Sequence, residues 1–211
     1  MTAPRFQRRK QDRPAEITAA ALDAFAEKGF AATRVDDVAK RAGVSKGLLY
    51  LYFKTKEELF KAVIRSFVVP KIDALKSNVA NSELSATEFL RGPFLEFATS
   101  LPESPAKVLI RLLIAEGPRH PDLTAYYWDN VVSHGLAALR SLIEKGVRDG
   151  EFRRSALDEF PQLIVSPVMF SVIWAIVFEA HHKLDSARLM EAHVELLLAA
   201  IRNPAAGGDP S

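Results

Sequence analysis

The chain has 211 residues, carries no cysteine and has 28 Lys and Arg against 26 Asp and Glu, so its formal net charge is only +2. The length suits one large domain or two small ones and can bury a core without cross-links. The lack of cysteine excludes a disulfide framework, a thiol nucleophile and a thiolate metal site. The charge is uneven, however, because residues 1–60 hold 12 cationic and 8 acidic side chains. A basic first segment on a mildly acidic remainder is expected where one end of a protein meets a polyanion.

The basic segment begins with a cationic arm and two predicted helices. Apolar spacing predicts a first helix over residues 13–28, and Gly29 is placed to end it. Thr33 and Asp36 have the spacing of a capping box, which predicts a second helix from about Val35. The arm preceding the first helix either reaches flanking phosphates or a minor groove, or is a disordered, solubilising segment. Its cations are Arg5, Arg8, Arg9, Lys10 and Arg13.

A glycine-containing turn over residues 43–45 leads into a third predicted helix over residues 46–53. Two helices joined by such a three-residue turn form the helix-turn-helix arrangement, and Gly43 supplies the left-handed backbone that the turn needs. Leu49 and Phe53, four residues apart, face a core. The other face of the helix offers Ser45, Lys46, Gly47, Tyr50, Leu51 and Tyr52.

The chemistry of that outer face suits a nucleic acid. Ser45 and the free helix N-terminus are suited to a phosphate, and Lys46 can reach a phosphate or a guanine edge. Gly47 lets the backbone approach DNA closely. Tyr50 offers a hydroxyl to phosphate and a ring edge to a thymine methyl group. Lys54 is a further phosphate candidate on charge grounds.

Helical patterns continue to the end of the chain, so the predicted fold class is all-α. Thr55 and Glu58 form a second capping box that begins a long fourth helix, and Pro70 should kink or end it. We place a head at residues 1–60, a body at 61–203 and a disordered tail at 204–211. No flexible linker separates head from body, which predicts mechanical coupling between them. Further helices are predicted over residues 85–100, 105–116, 122–148, 158–182 and 186–202.

The stretch from Pro161 to Phe178 contains no charge. Its length is borderline for a membrane span, and polar residues interrupt it while no basic cluster flanks it. We therefore expect a helix buried in a core or a subunit interface. No signal peptide is apparent, and we expect a cytoplasmic protein with no membrane partner.

The segment from Thr33 to Leu59, TRVDDVAKRAGVSKGLLYLYFKTKEEL, resembles the signature of TetR-type (tetracycline-repressor-like) transcriptional regulators. It differs from their usual pattern by Val38 for Ile, Leu48 for Thr and Thr55 for Ser. Leu51 occupies a position often held by His. The rest of the chain resembles the family more loosely, including RLLIAEGPRHPDL and AHVELLLAAI.

The resemblance implies a homodimer with a three-helix DNA-binding head and a helical ligand-binding and dimerisation body. Its two recognition helices would enter successive major grooves of a palindromic operator, and the last two long helices of each subunit would form the dimer interface. Repression follows from the resemblance alone. The residues that match DNA contacts in the family are Thr33, Arg34, Ser45, Lys46, Gly47, Tyr50, Tyr52 and Lys56.

A ligand pocket in the body is a further hypothesis, based on its many large apolar side chains. Such a pocket would favour an apolar or aromatic effector, positioned by Arg111 or His134. The candidate ligand-binding residues are Phe94, Phe97, Arg111, Leu113, Trp128, His134, Phe170 and Trp174. We expect no cofactor, metal or catalytic residues. The alternatives are a DNA-binding dimer without an effector, with a protein-contact or nucleoid role, and a helical enzyme or carrier whose head only resembles a helix-turn-helix.

Overall fold

The computed structural model describes residues 5–204, with side chains from residue 13 onward. The regular secondary structure of this part is helical, and it contains no strand beyond an isolated bridge between Phe152 and Arg202, which confirms the all-α class. Residues 205–211, most of the predicted disordered tail, lie outside the described residues. The helices are α1 (Arg5–Ala32), α2 (Val35–Arg41), α3 (Lys46–Tyr52), α4 (Lys56–Phe67), α5 (Val69–Asn81), α6 (Ala86–Phe89), α7 (Leu95–Ser100), α8 (Pro105–Glu116), α9 (Pro121–Tyr127), α10 (Ser133–Arg148), α11 (Gln162–Val177) and α12 (Ser186–Ile201).

Two π-helical turns join neighbouring helices into longer rods. Leu90–Phe94 lies between α6 and α7, and Trp128–Val132 lies between α9 and α10. The predicted helices over residues 85–100 and 122–148 are therefore present, each with a wider turn inside it. Pro93 lies in the first of these turns, where it lacks the N–H that a regular helix would use.

Contacts divide the chain into two compact units. The first unit contains the chain up to Pro70 together with Val108–Trp128, and the second contains Lys71–Lys107 and the chain from Asp129. The segment Val108–Trp128 thus packs with the N-terminal helices although it follows them by many residues. The apolar pattern of an amphipathic helix does not specify which other helices it packs against, so the sequence does not predict this assignment.

The first unit has an aromatic core. The rings of Phe25, Phe30 and Phe60 lie 5.5–5.7 Å apart between centroids, and all three side chains are buried. Edge contacts of this kind add about 0.5–1.5 kcal/mol per pair to the burial of apolar area. His120, from the segment preceding α9, packs its ring 4.9 Å from that of Phe30. The core therefore fixes α1 and α4, which flank the helix-turn-helix.

The first helix begins at Arg5, earlier than the predicted start near residue 13. The cationic arm is thus helical in its backbone from Arg5, which corrects the disordered-arm alternative for that stretch. Gly29 has a left-handed φ of 77° and interrupts the helical backbone where the sequence predicts a stop. The chain then makes one more turn to Ala32.

The predicted capping box at Thr33 and Asp36 is wrong. Arg34 precedes α2, and no side chain caps that helix. The buried Thr33 hydroxyl donates instead to the carbonyl oxygens of Gly29, at 2.6 Å, and Ala24, at 3.2 Å. Gly29 interrupts the helical backbone of α1, and carbonyl groups near such an interruption accept hydrogen bonds from outside the helix.

The second predicted box, at Thr55 and Glu58, forms only in part. The Thr55 hydroxyl accepts from the Glu58 N–H at 3.0 Å, but the Glu58 carboxylate accepts from the Lys54 N–H rather than from Thr55. The predicted break near Pro70 is confirmed, because α4 ends at Phe67 and α5 begins at Val69.

Helix α11 in the second unit is shorter than the predicted 158–182 helix, and it has two different sides. One side, including Ile164 and Val168, packs into the core of the unit. The other side exposes large apolar side chains, as does one residue of α12. No helix among the described residues is long and apolar enough to cross a membrane. The exposed apolar residues on and beside α11 are Phe160, Leu163, Met169, Phe170, Ile173, Val177 and Phe178, and the residue on α12 is Leu196.

Helix α12 satisfies a carbonyl that α11 leaves free. Pro167 has no N–H to donate to the carbonyl of Leu163 one turn earlier. That oxygen instead accepts hydrogen bonds from His193 Nε2 on α12, at 3.0 Å, and from the Ser166 hydroxyl, also at 3.0 Å. Because a carbonyl only accepts, His193 holds its proton on Nε2.

Candidate nucleic-acid interface

The turn between α2 and α3 is built as the sequence predicts. Gly43 has a left-handed φ of 64°, and the Val44 N–H donates to the Ala39 carbonyl at 3.0 Å. Ser45 then caps α3, because its hydroxyl accepts from the Leu48 N–H at 3.2 Å. These local bonds fix the angle at which α3 leaves α2 and keep the α3 N-terminus at the surface.

The two faces of α3 differ completely. Leu49 and Phe53 are buried, as predicted. Gly47, Tyr50 and Leu51 lie on the opposite face, since positions i, i+3 and i+4 share one side of a helix. Tyr50 is 40% exposed and Leu51 74% exposed, and a Cβ added at Gly47 would meet open space. This surface, which we call the outer face of α3, is bare enough for a large ligand to reach the helix backbone.

Lys46 lies at the start of that helix and is held in place by two neighbours. Its Nζ donates to the Asp36 carboxylate at 2.9 Å and lies 5.9 Å from the centre of the Tyr50 ring. The hydrogen bond that Lys46 donates to the Asp36 carboxylate raises the pKa of Lys46, because it stabilises the charged ammonium. Asp36 is a site residue that sequence reasoning missed, because it assigned Asp36 to a capping box. The pair orients Lys46 beside the exposed tyrosine.

The other residues predicted to contact DNA near α3 differ in how exposed they are. Arg34, Ser45 and Lys54 are exposed. Tyr52 is half-buried, and its ring lies 6.3 Å from that of Phe53. The two cations are therefore accessible to an anionic partner, while Tyr52 lies partly against the core side.

Thr33 and Lys56 have structural partners. Thr33 is only 2% exposed, and its hydroxyl donates to carbonyl groups of α1. The Lys56 ammonium donates to the carbonyls of Phe30, at 2.6 Å, and Ala31, at 3.1 Å, and lies over the Phe30 ring at 4.5 Å. A lysine ammonium has three donors, so Lys56 keeps one N–H bond for a further acceptor. Both residues position the end of α1 against the helix-turn-helix.

Two ion pairs fasten α2 to α1. Lys28 donates to Asp37 at 2.8 Å, and this hydrogen bond lowers the pKa of the Asp37 carboxyl. Arg41 pairs with Glu27 and lies 3.8 Å from Asp23. These pairs are exposed and hence weak individually. They nevertheless brace α2 from both sides, which supports the position of the turn.

Three predicted ligand-binding residues lie in the first unit. Arg111 and Leu113 are on α8, and the Arg111 guanidinium donates to the Ala26 carbonyl of α1. Leu113 is half-buried. Trp128 is 53% exposed. The structure therefore gives Arg111 a partner that sequence reasoning did not foresee.

The other five lie in the second unit and are dispersed. Phe94 is buried in the core, and Phe97 packs against that core. His134 Nδ1 lies 3.2 Å from Lys76 Nζ. Phe170, 49% exposed, and Trp174 have ring centroids 5.6 Å apart on α11, and Trp174 Nε1 donates to the His182 carbonyl. Only the last pair is brought together, and the ligand-binding set stays a prediction.

Comparison with known proteins places this geometry in a family. A family profile described as "Bacterial regulatory proteins, tetR family" matches residues 17–63, and one described as "Tetracyclin repressor-like, C-terminal domain" matches residues 87–177. The HTH-type transcriptional repressor KstR2 of Mycolicibacterium smegmatis is 29% identical over 154 residues, which are 72% of this chain and 73% of that protein.

Solved structures share the fold along most of the chain. The SmeT–triclosan complex has a TM-score of 0.78 at 19% identity, covering 94% of this chain and 97% of that one. The transcriptional regulator FadR from Bacillus subtilis in complex with stearoyl-CoA has a TM-score of 0.70 at 22% identity, covering 89% and 99%. At these identities the likeness concerns the fold alone. Together with the two profile matches and the helix-turn-helix geometry, it shows that the chain belongs to the TetR family of DNA-binding transcriptional regulators rather than to an enzyme family.

Proposed function

We propose that the protein is a repressor that acts in the cytoplasm, binds a palindromic operator as a homodimer and is released by a small apolar or aromatic ligand. The observation that carries the proposal is the outer face of α3, where Gly47 and Tyr50 are exposed beside the oriented ammonium of Lys46. Repression is supported by the KstR2 relative, which is named as a transcriptional repressor.

In this proposal α3 enters the major groove with its N-terminal turn first. Lys46 exchanges its Asp36 partner for a phosphate or a guanine edge, and Tyr50 offers its hydroxyl and ring edge. Ser45, Arg34, Lys54 and the remaining N–H of Lys56 meet phosphates along the groove. Thr33 and Tyr52 complete the proposed interface, Thr33 through its backbone because its side chain is buried.

The homodimer is supported by the exposed apolar side of α11. Within the described part of the chain, seven large apolar side chains on or beside this helix are 41–53% exposed, and so large an exposed apolar surface is unusual for a protein that functions alone. Burying these side chains against a second copy would stabilise a dimer by about 25 cal/mol per Å² of apolar area removed from water. An isologous pairing through α11 and α12 would present two copies of α3 to DNA.

Effector release is supported by two solved structures of the same fold that contain ligands with large apolar parts, SmeT with triclosan and FadR from Bacillus subtilis with stearoyl-CoA. We propose that the predicted ligand-binding residues take part in the response. The chain passes between its two units at three points, next to residues 70, 107 and 128. If a ligand binds one conformation of the protein more tightly than another, it can shift operator binding by no more than that difference in affinity.

Selection of bound fragments from genomic DNA, followed by footprinting, tests the proposal. We expect a palindrome whose half-sites lie about 34–36 Å apart and a stoichiometry of one dimer per palindrome. Protection of a single asymmetric half-site by a monomer would contradict the dimer. Binding without sequence preference would favour a nucleoid role.

Effector release is tested separately with the intrinsic fluorescence of Trp128 and Trp174. A panel of acyl-CoA thioesters and apolar aromatic compounds is titrated into the protein–operator complex. A compound that changes fluorescence and dissociates the operator at the same concentration supports the proposal. If every compound leaves both signals unchanged, the alternative of an effector-free DNA-binding dimer replaces it.

A further inference from the structure

We infer that Leu51 reads the 5-methyl group of a thymine in each operator half-site and thereby determines part of the sequence specificity. This inference rests on the DNA-binding function proposed above and names a contact outside the set proposed there. A single exposed leucine is common on protein surfaces, so exposure alone carries no assignment. The position of Leu51 on α3 carries it.

Leu51 lies opposite the core side of its helix. Leu49 and Phe53 turn into the core of the first unit, whereas Leu51 is 74% exposed, the highest exposed fraction among the large apolar side chains described. At 100° per residue, Gly47, Tyr50 and Leu51 occupy one continuous strip of the helix surface. A duplex that contacts Gly47 and Tyr50 therefore also meets Leu51.

Gly47 leaves the helix surface bare one turn before Leu51. Helical side chains lean toward the N-terminus, so the Leu51 side chain is directed toward the turn that contains Gly47. Gly47 has no side chain there, and a Cβ at that position would have no neighbour within 4 Å. Tyr50 has a different neighbour in the turn before it, because the Lys46 ammonium lies 5.9 Å from the centre of its ring. The outer face is therefore polar beside Lys46 and apolar in the notch between Gly47 and Leu51.

Thymine is the base that fits this notch. In the major groove each base edge presents hydrogen-bonding atoms, and thymine alone among the four DNA bases adds a methyl group. An aliphatic side chain has no donor or acceptor for phosphates or for the other base edges, whereas contact with the methyl removes apolar area of both partners from water. The neighbouring cations Lys46 and Lys54 supply attraction to the backbone without competing for the methyl.

The test compares thymine with uracil in the operator obtained by genomic selection. Replacing dT by dU removes only the methyl group and keeps base pairing. Each thymine of the half-site is replaced in turn, symmetrically, and dissociation constants are measured by fluorescence anisotropy for the parent and for Leu51→Ala. We expect one position at which uracil weakens the parent about fourfold per half-site, which corresponds to one buried methyl group. Leu51→Ala should bind the thymine operator more weakly and lose this sensitivity.

Controls separate the contact from folding and from the parent proposal. Leu51→Ala should keep the helical circular dichroism and melting temperature of the parent, since the side chain is exposed. Ile114→Ala, an exposed apolar residue of the same unit on α8, should bind both operators like the parent. If Leu51→Ala keeps the uracil sensitivity of the parent at every position, or if the parent has none, the inference is overturned while operator binding stands. If no operator can be selected, the proposed function fails first and the inference falls with it.

Discussion

Helices α3 and α11 each have an exposed face, but the two faces have opposite chemistry. The outer face of α3 combines a bare glycine backbone, a tyrosine and an oriented ammonium, with Leu51 as its one large aliphatic residue. The open side of α11 is almost entirely aliphatic and aromatic, and it carries no charge between Gln162 and Val177. A polyanion surrounded by water suits the first surface, and a second apolar protein surface suits the second. The distribution of exposed residues thus separates two candidate binding surfaces within one small chain.

The largest effect should come from placing charge on the open side of α11. Phe170→Glu combined with Ile173→Glu should dissociate the proposed dimer, because burying two carboxylates without partners in an apolar interface is costly. Operator affinity should fall by about 10²–10⁴, since two linked half-site contacts become independent. Light scattering gives the mass and anisotropy the affinity.

Both side chains are exposed within one chain, so the variant should keep its helical content. Ala137→Glu, at an exposed position of α10, serves as the control and should remain dimeric. A double variant that keeps the parent mass would show that α11 is not the interface.

A smaller effect is expected from filling the notch on α3. Gly47→Ala places a methyl group in open space and improves helix propensity, so the free energy of unfolding should rise by about 0.5 kcal/mol. The same methyl should obstruct the duplex and weaken operator binding about tenfold. Chemical denaturation and anisotropy measure the two quantities. A variant that is more stable and binds operator as tightly as the parent would show that α3 does not approach DNA at Gly47.

Next in size is a pH effect at the contact between α11 and α12. Burial lowers the pKa of His193 by more than its hydrogen bond to the Leu163 carbonyl raises it. Below about pH 6.5 the unfolded chain therefore binds a proton that the folded chain does not, so stability falls as the pH drops through the folded pKa. His193→Gln keeps a donor but cannot titrate, and it should lose less stability than the parent between pH 7.5 and 5.

Denaturation midpoints at several pH values check this difference. His181→Gln, which changes an exposed histidine nearby, should follow the parent curve. Identical curves for the parent and His193→Gln would remove His193 as a source of the pH dependence.

The smallest effect concerns the buried side of α11. The Ser171 hydroxyl is buried, and the structure gives it no hydrogen-bond partner. Ser171→Ala should therefore leave stability unchanged or raise it by up to about 1 kcal/mol. Ser166→Ala removes a hydroxyl that does bond, to the Leu163 carbonyl, and should lower stability. Thermal melts of the two variants compare them directly, and a clear loss in Ser171→Ala would reveal a partner for that hydroxyl.

The local part of this architecture was predictable because its causes are local. Gly43, the Ser45 cap and the buried pair Leu49 and Phe53 follow from turn chemistry and helix periodicity within ten residues. The bonds that the sequence did not predict are those that a side chain makes to a different helix. Thr33 bonds to Ala24 and Gly29 instead of capping α2, and Lys56 reaches carbonyls of Phe30 and Ala31. No pattern in the sequence specifies such pairings.

The same reason explains the candidate sites. The residues of α3 were found because one helix turn sets their spacing, whereas Asp36 gained its role only through the bond to Lys46. The apolar members of the predicted ligand-binding set were identified by size and aromaticity, two properties that Phe94 and Trp128 share. The structure buries the first in a core and exposes the second. Composition cannot distinguish these outcomes because they depend on which helices pack together.

The salt dependence of operator binding, measured for the parent and for the double variant Lys46→Ala, Tyr50→Ala, tests the central claim most directly. For the parent, log K should fall steeply with log salt, and removing one phosphate-bound lysine per subunit should make the slope shallower by about 1.8 per dimer. The variant should also bind selected and random DNA with similar affinity, while Lys183→Ala, at an exposed position far along the chain, matches the parent. A double variant with the affinity, the preference and the salt slope of the parent would contradict the assignment of α3 as the DNA-reading helix.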